Sequence, residues 1–393
     1  MADVAAVPNP LRPTPRRLYG PGPTNVAPSV IDVMQQPMLG HLDAEFHDVL
    51  AEVVTMLRAA YRMPSGVTLP LSAPGTAGME AGLTSLVDPG DTVVVGVAGF
   101  FGERMAQAAR RRGARVLEVR AEPGDAVPND RLVEAIDRHP EVSLVAVVHA
   151  ETSTGVRHPL AELAAHLRGR DVLLMADCVT SLGGIELHAG HWGVDYGFSC
   201  TQKCLGAPPG MSPIVVSDRA LERIRGARVQ PPFMFDLDEL AAYWMQRPAR
   251  YHHTVPVLQI YALHEALRLV CEEGLEARWR RHADAGGYLQ AQLRQRGFEL
   301  LADPAYQLPQ LTAVKIPPGV DGPEIQRRLV RESGIEIGGP LGPSGPRIWR
   351  IGLMGVNATR DDADRALAAL DDALAAADHR PTHLADSTTG HSR

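Results

Sequence analysis

The sequence predicts an α/β protein built on a mostly parallel sheet, and two observations support this prediction. Short apolar segments of strand type alternate with helical segments between residues 67 and 177. Parallel strands need crossover connections of this kind, and the connecting helices then cover both faces of the sheet. The chain has 393 residues, of which 45% are hydrophobic and 22% charged, so it is long enough for two domains with a large core.

The elements are predicted in order from their periodicity and their flanking turn residues. Strands are expected at residues 67–72, 92–97, 115–119, 144–148 and 172–177, with helices at 45–61, 101–112, 130–137 and 159–167 between them. Helical patterning then dominates residues 237–279, and a smaller α/β unit follows, with strands at 311–316 and 347–351 and helices at 323–332 and 359–376. We therefore expect an N-terminal arm (1–22), a large domain (23–285), a small C-terminal domain (286–377) and a disordered tail (378–393).

Composition argues against several classes of function. The net charge of −7 and the lack of a basic run argue against nucleic-acid binding, and no apolar stretch approaches the ~18 residues of a membrane helix. Four cysteines are too few for a disulfide framework, which is typical of a reducing compartment. Cys200 and Cys204 have no second ligand pair at zinc-site spacing, so no metal is expected. Residues 1–17 lack a signal-peptide pattern and the chain does not end in Ser-Lys-Leu, so we expect a cytoplasmic protein.

Lys203 is the first candidate catalytic residue. Of the 39 basic residues in the chain only two are lysines, Lys203 and Lys315. Arginine can replace lysine as a surface charge, but it cannot form a Schiff base with a carbonyl compound. Lys203 also precedes a rigid Gly-Ala-Pro-Pro-Gly loop at residues 206–210, an unusual setting for a solvated lysine, which is the alternative interpretation.

Asp177 is the second candidate. It ends the apolar segment 172–177, and in an open α/β sheet ligands bind at the carboxyl ends of strands. A strand-end aspartate together with a Schiff-base lysine suggests pyridoxal phosphate. That cofactor needs a lysine for its aldehyde and an acid for its pyridinium nitrogen. A turn or a helix cap remains the alternative for Asp177 alone.

Three further segments resemble parts of a binding site. Residues 73–81 run from a strand through a glycine turn into a helix, which is an anion-binding arrangement, although a purely structural turn shows the same pattern. Arg350 lies in an apolar strand between Trp349 and Ile351, and a partly buried arginine needs an anion, although a routine salt bridge is the alternative interpretation. Residues 251–254, Tyr-His-His-Thr, form either a functional cluster or an exposed loop in which Thr254 caps the next helix.

Eight motifs in one order resemble the class V aminotransferases, and among them the alanine–glyoxylate, or serine–pyruvate, group. They are Gly-Pro-Gly-Pro-Thr-Asn (20–25), Gly-Thr-Ala-Gly-Met-Glu (75–80), Glu-Thr-Ser-Thr-Gly (151–155), Ala-Asp-Cys-Val-Thr-Ser-Leu-Gly-Gly (176–184), Thr-Gln-Lys-Cys (201–204), Ala-Pro-Pro-Gly (207–210), Tyr-His-His-Thr (251–254) and Arg-Ile-Gly-Leu-Met-Gly (350–355). The resemblance covers residues 18–377. It implies the type I pyridoxal-phosphate fold, with a seven-stranded type of sheet, and a homodimer whose active sites lie at the subunit interface.

The resemblance also implies a role for each matching residue. Lys203 would bind the cofactor covalently and move the substrate proton, and Asp177 would hold the pyridinium proton. Arg350 would bind the substrate carboxylate. The remaining contacts to pyridoxal 5′-phosphate would come from Gly75, Thr76, Ala77, Phe101, Thr152, Val179 and Gln202, and from Tyr251 and Thr254 of the other subunit.

The implied reaction is transamination of a small amino acid, alanine or serine, with glyoxylate or pyruvate as acceptor. Another class V transaminase, of the serine–glyoxylate, ureidoglycine–glyoxylate or pyridoxamine–pyruvate type, is the first alternative. A cysteine desulfurase would need a mobile catalytic cysteine, whereas the four cysteines here lie in patterned segments. A non-catalytic cofactor-binding protein is the alternative from a different class, and the presence of Lys203, Asp177 and Arg350 together argues against it.

Overall fold

The computed structural model describes residues 9–342 and 345–379. The strands in chain order are β1 (Arg17–Leu18), β2 (Val67–Leu71), β3 (Thr92–Val97), β4 (Arg115–Arg120), β5 (Val142–Val148), β6 (Ala150–Glu151), β7 (Val156–Arg157), β8 (Leu173–Asp177), β9 (Tyr196–Phe198), β10 (Ser212–Val216), β11 (Leu311–Lys315), β12 (Ile335–Glu336) and β13 (Ile348–Gly352).

The helices in chain order are α1 (Pro28–Asp32), α2 (Ala44–Tyr61), α3 (Gly75–Leu86), α4 (Phe100–Arg111), α5 (Asn129–Arg138), α6 (Leu160–Leu167), α7 (Ala189–Trp192), α8 (Asp218–Arg225), α9 (Leu237–Trp244), α10 (Val257–Glu273), α11 (Leu275–Gln295), α12 (Gly322–Arg328) and α13 (Arg360–Ala375). Short 3₁₀ turns lie at Val33–Gln35, Phe233–Phe235, Pro304–Tyr306 and Gly355–Asn357, and a π-helical turn at Leu329–Ser333 follows α12.

A seven-stranded sheet in the order β2-β10-β9-β8-β5-β3-β4 forms the centre of the protein. Strand β10 is antiparallel to both of its neighbours, and the other strands run parallel to one another. The predicted α/β class and the mostly parallel sheet are therefore confirmed. The antiparallel β10 and the helix α8 were not predicted, although Ser217 caps α8 and the apolar Ala220, Leu221 and Ile224 lie on its buried face.

The parallel strands end at one edge of this sheet. The segments that follow β2, β3, β5, β8 and β9 all begin there, and they include the turn before α3, the start of α4, Thr152, Asp177 and the Lys203 loop. Strands β3, β5 and β8 are almost entirely buried, because helices cover both faces of the sheet. The sheet therefore brings the predicted functional segments together at its carboxyl edge.

The two largest apolar cores among the described residues lie in different parts of the chain. The larger core lies around the seven-stranded sheet, and the smaller one includes Trp349 and Ile351 of β13 together with residues of α13. Helix α11 joins them, since Leu275 packs against the first core and Leu289 belongs to the second. The predicted boundary at residues 285/286 thus lies inside a continuous helix.

The end of the predicted N-terminal arm packs into the smaller core. Tyr19, within the predicted arm, is fully buried in the smaller core, and its hydroxyl donates a hydrogen bond of 2.6 Å to Asp362. Strand β1 pairs in parallel with β12. The end of the arm is therefore an integral part of the C-terminal unit. Most of the predicted disordered tail, residues 380–393, lies outside the described residues.

Candidate active site

A cavity of about 200 Å³ lies at the carboxyl edge of the sheet. Its lining contains seven of the residues predicted to bind the cofactor, namely Gly75, Thr76, Phe101, Thr152, Asp177, Val179 and Gln202, as well as Lys203. These residues come from five different loops that follow the parallel strands. The cavity therefore lies where the strand order predicts that the functional loops meet. Both the amine of Lys203 and the carboxyl group of Asp177 line it.

Lys203 is partly buried, and the desolvation of its amine lowers the pKa below the usual lysine value. A lowered pKa increases the fraction of neutral amine, which is the form that attacks an aldehyde. Lys315, by contrast, is half exposed and forms an ion pair with Glu299, with 3.0 Å between the amine and the carboxylate. The two lysines of the chain thus lie in opposite environments, and only Lys203 has the chemistry expected of a Schiff-base residue.

The N-terminal turn at residues 20–25 covers Lys203, a contact that sequence reasoning missed. The Lys203 amine donates a hydrogen bond to the Pro21 carbonyl, and the Thr24 N–H donates to the Gln202 carbonyl at 3.0 Å. Gly22 adopts a left-handed φ of 102°, and a Cβ added there would lie 2.5 Å from Lys203 Nζ. Only glycine fits this position. The Gly-Pro-Gly-Pro pattern was the available signal, but a turn does not identify what it covers.

Asp177 is buried at the end of β8, and burial raises the pKa of its carboxyl group to about 7. The carboxylate of Glu151 contributes to the increase, while Lys203 and the Val179 N–H, which donates to Asp177 Oδ1 at 2.8 Å, lower the pKa. A buried carboxylate of this kind is stabilised by a cationic partner within hydrogen-bonding distance. The protonated pyridine nitrogen of pyridoxal phosphate fits that requirement.

The N-terminus of α3 suits the phosphate group of the same cofactor. Its cap residue, Pro74, makes no side-chain capping bond, so the first N–H groups of the helix face the cavity beside Gly75 and Thr76. A Cβ added at Gly75 would lie 3.2 Å from Cys200 Cβ, which shows how closely the backbone approaches the Lys203 loop. The buried Oε1 of Gln202 has no hydrogen-bond partner among the described residues. This polar pocket therefore fits a bound anion.

Glu151 organises the ring end of the cavity, and sequence reasoning assigned it no role. Its buried carboxylate accepts hydrogen bonds from the N–H groups of Phe101 and Gly102, each at 3.1 Å, and from the Ser153 hydroxyl at 2.6 Å. It thereby fixes the start of α4, where Phe101 faces the cavity. Arg104, one turn further along α4, also lines the cavity. Its guanidinium carbon lies 5.4 Å from the centre of the Phe101 ring. In the sequence, only the helical spacing between Phe101 and Arg104 could have indicated that both side chains lie on the same face of α4.

Arg350 lies beside the cavity, buried on β13. Its Nε donates to the Gly339 carbonyl at 2.7 Å, and one Nη donates to the carbonyl of Thr152, a cavity residue, at 3.2 Å. Burial lowers the pKa of Arg350 to about 10, which leaves it protonated at neutral pH. Two carbonyls therefore aim the guanidinium, and no carboxylate pairs with it within 4.0 Å among residues 9–342 and 345–379. The structure favours the anion-binding interpretation over a routine salt bridge.

Besides Arg350, three predicted residues lie outside the cavity lining. Ala77 is in α3, but its N–H already donates to the Pro74 carbonyl at 2.8 Å. Tyr251 and Thr254 are exposed on the segment before α10, with 54% of Tyr251 accessible. Thr254 does not cap α10, which begins after Pro256 without a side-chain cap. The structure of one chain therefore does not bring Tyr251 and Thr254 to this chain's own cavity.

Among the residues described, no three His, Cys, Asp or Glu side chains are grouped so that they could hold a metal ion. None of the described helices combines the length and the apolar character that a membrane crossing requires.

Comparison with known proteins identifies the family. Residues 18–344 match the family model "Aminotransferase class-V". The alanine–glyoxylate aminotransferase of Callithrix jacchus is 38% identical over 378 residues, which cover 95% of this chain and 91% of that protein. The (S)-ureidoglycine–glyoxylate transaminase of Bacillus subtilis is 35% identical over 91% of this chain and 90% of its own length.

A solved structure agrees with the sequence comparisons. The crystal structure of the alanine–glyoxylate aminotransferase from Nostoc sp. superimposes with a TM-score of 0.90 and 41% sequence identity, covering 94% of this chain and 97% of the other. The predicted type I fold is thereby confirmed. The chain belongs to the class V aminotransferases, and pyridoxal 5′-phosphate is its cofactor.

Proposed function

We propose that this enzyme transfers the amino group of a small amino acid, alanine or serine, to glyoxylate or pyruvate. The observation that carries the proposal is the position of the Arg350 guanidinium, which donates a hydrogen bond to the carbonyl of Thr152 in the cavity lining. A bidentate arginine suits a substrate carboxylate. The relatives from Callithrix jacchus and Nostoc sp., named for alanine and glyoxylate, support the same substrates.

The residues of the chain divide the chemistry between them. Bound pyridoxal phosphate supplies an electron sink that makes the substrate's Cα proton acidic. Lys203 is placed to hold the cofactor and then to move that proton as a general base and acid. Asp177 keeps the pyridine nitrogen protonated, and Arg350 orients the carboxylate. The N-terminal turn over Lys203 limits the access of water, which strengthens each of these electrostatic contacts.

Ureidoglycine–glyoxylate transamination is the second candidate, and the relative from Bacillus subtilis is the observation that favours it. Transamination assays of the purified enzyme with a panel of amino donors, each paired with glyoxylate and with pyruvate, distinguish the two. We expect the largest kcat/KM for alanine or serine. A clear preference for ureidoglycine, for a dicarboxylic donor or for pyridoxamine would contradict the proposal.

The Arg350→Ala variant is expected to bind carboxylate substrates about ten- to a hundredfold more weakly. The loss corresponds to one charge-assisted contact of about 1.5–3 kcal/mol, and it should affect alanine and glyoxylate alike because both use the same site. Steady-state kinetics with alanine and with alanine amide measure it. Arg138→Ala, on the exposed face of α5, is the control and should leave the kinetics unchanged. Equal weakening for acid and amide would show that Arg350 acts only structurally.

We further propose a homodimer in which Tyr251 and Thr254 of each subunit bind the cofactor phosphate of the partner. Both side chains are exposed in a single chain and do not line its own cavity, which supports a contact made in trans. A phenolic hydroxyl and a threonine hydroxyl are suitable hydrogen-bond donors for a phosphate.

Subunit mixing is expected to restore activity between two inactive variants. One variant is Lys203→Ala, and the other combines Tyr251→Phe with Thr254→Ala. A hybrid dimer contains one site with an intact lysine and an intact hydroxyl pair, provided that the pair is donated in trans. Activity after mixing, compared with each parent alone, is the measurement. Absence of activity in demonstrated hybrids, or a monomeric enzyme in sedimentation, would contradict the composite site.

We also propose a cytoplasmic location. The four cysteines are free, three of them buried and Cys271 exposed, and free thiols of this kind suit a reducing compartment. Cell fractionation followed by the activity assay tests the location, and activity confined to a membrane or secreted fraction would contradict it.

A further inference from the structure

A chain of hydrogen bonds runs through the two histidines between Tyr251 and Thr254. His252 Nε2 lies 3.0 Å from the Phe233 carbonyl oxygen, and His252 Nδ1 lies 2.7 Å from His253 Nδ1. His253 Nε2 then lies 2.8 Å from the Ser72 hydroxyl. The Phe233 ring stacks on His252, with 4.7 Å between the ring centres and 2° between the planes. The four residues thus form one connected unit, called here the Ser72–Phe233 relay.

The end groups of the relay determine its hydrogen positions. A carbonyl oxygen can only accept, so His252 Nε2 carries a proton and donates to Phe233. In neutral imidazoles His252 Nδ1 must then accept from His253 Nδ1–H, and His253 Nε2 accepts from the Ser72 hydroxyl. Every nitrogen of the two rings has a partner. Burial lowers the pKa of His253, and the adjacent His252 lowers it further, which agrees with the neutral arrangement.

The two ends of the relay belong to two different phosphate-binding segments. Ser72 directly follows β2 and lies three residues before Gly75, where α3 begins at the cavity of the same chain. His252 and His253 lie between Tyr251 and Thr254, the pair assigned above to the partner's phosphate. The hydrogen bond between His253 and Ser72 therefore connects the phosphate turn of a subunit's own site with the segment that this subunit donates.

We propose that the Ser72–Phe233 relay couples the two cofactor sites of the dimer, so that His253 and Ser72 position the residues that hold the partner subunit's phosphate. The inference rests on the composite site proposed above. An ordered phosphate turn in one subunit fixes Ser72, and Ser72 in turn fixes the rotamer of His253 and the path of the backbone on both sides of it. Ser72 and His253 are thus positioning residues for the cofactor site of the partner subunit. To that site their own chain contributes only the hydroxyls of Tyr251 and Thr254.

The first test is cofactor release from the holoenzyme. Ser72→Ala removes the hydroxyl that His253 accepts from, and the loss of one neutral hydrogen bond corresponds to a factor of about two to ten in cofactor dissociation. Ser72→Thr retains the hydroxyl and should restore the wild-type release rate. The double variant Ser72→Ala with His253→Ala should be no worse than the poorer single variant, because the two changes break the same connection. His166→Gln, an exposed histidine on α6, is the control.

The second test places Ser72→Ala in one subunit of the hybrid dimer described above. In that hybrid the single intact site combines Lys203 of one subunit with Tyr251 and Thr254 of the other. The proposal expects faster cofactor release, followed by absorbance during gel filtration, when Ser72→Ala lies in the subunit that donates Tyr251 and Thr254. Faster release with Ser72→Ala in this subunit would indicate coupling between the two sites. The reason is that this subunit contributes neither the lysine nor the phosphate turn to the intact site.

Each outcome decides between the proposals. Faster release only when Ser72→Ala lies beside the intact Lys203 would overturn the coupling and leave the composite site standing. Additive effects of Ser72→Ala and His253→Ala would also overturn the coupling. Hybrids in which Tyr251 and Thr254 act within their own subunit would contradict the composite site itself, and the relay inference would fail with it.

Discussion

The Lys203→Arg variant is expected to lose the covalently bound cofactor. Its transamination rate should fall by a factor of about 10²–10⁴, the usual contribution of a positioned general base. Arginine retains the positive charge and much of the length of lysine, but its guanidinium stays protonated and is a poor nucleophile. Desolvation lowers the pKa of Lys203 and so increases the fraction of neutral amine. The same desolvation would not give a neutral, nucleophilic arginine.

Borohydride reduction followed by peptide mapping measures the covalent link directly. A pyridoxyl group should appear on the peptide that contains Lys203 and should be absent from the variant. Lys315→Arg is a matched control, because Lys315 is the only other lysine, is half exposed and pairs with Glu299. The control should retain the label and the activity. A label on Lys315, or full activity in Lys203→Arg, would contradict the assignment.

The Asp177→Asn variant is expected to slow the half-reaction with alanine by about 10²–10³-fold, the typical effect of removing one electrostatic stabiliser from an active site. Asparagine has the same size but no negative charge, so the pyridine nitrogen is no longer held in its protonated form. Stopped-flow absorbance of the holoenzyme with alanine gives the rate. Asp361→Asn, in the exposed first turn of α13, should leave the rate unchanged. A wild-type rate in Asp177→Asn would exclude the carboxylate from the mechanism.

The cofactor-free protein offers a second measurement on the same variant. Burial raises the pKa of Asp177 to about 7, above its usual value of 3.8, so the folded chain binds more protons than the unfolded chain between these two values. The contribution of Asp177 to the free energy of unfolding therefore decreases as the pH rises through this window. At about 1.4 kcal/mol per pKa unit the decrease is on the order of 4 kcal/mol. Denaturant titrations at pH 4 and pH 8 should show this decrease in the free energy of unfolding for the wild type and not for Asp177→Asn.

The sequence by itself determined the fold class, and it predicted Lys203 and Asp177 as the catalytic pair. Alternating strand and helix periodicity is a local signal, and the crossover rule for parallel sheets converts it into an architecture. The same rule places the ends of the strands at one edge, which is why Asp177 and Lys203 could be predicted to meet. The rarity of lysine in this chain made Lys203 stand out, because no surface function requires lysine rather than arginine.

Only the tertiary structure decided how these residues are held. The contact between Lys203 and Pro21 joins positions 182 residues apart, and no local periodicity indicates it. The hydrogen bonds that Phe101 and Gly102 donate to Glu151 and the two carbonyls that aim Arg350 likewise depend on how separate elements pack. Local patterns reflect neighbours within a few residues, whereas burial and hydrogen-bond partners are set by the whole fold. The sequence therefore predicted which groups react, and the packing decided how those side chains are oriented and in which direction their pKa values shift.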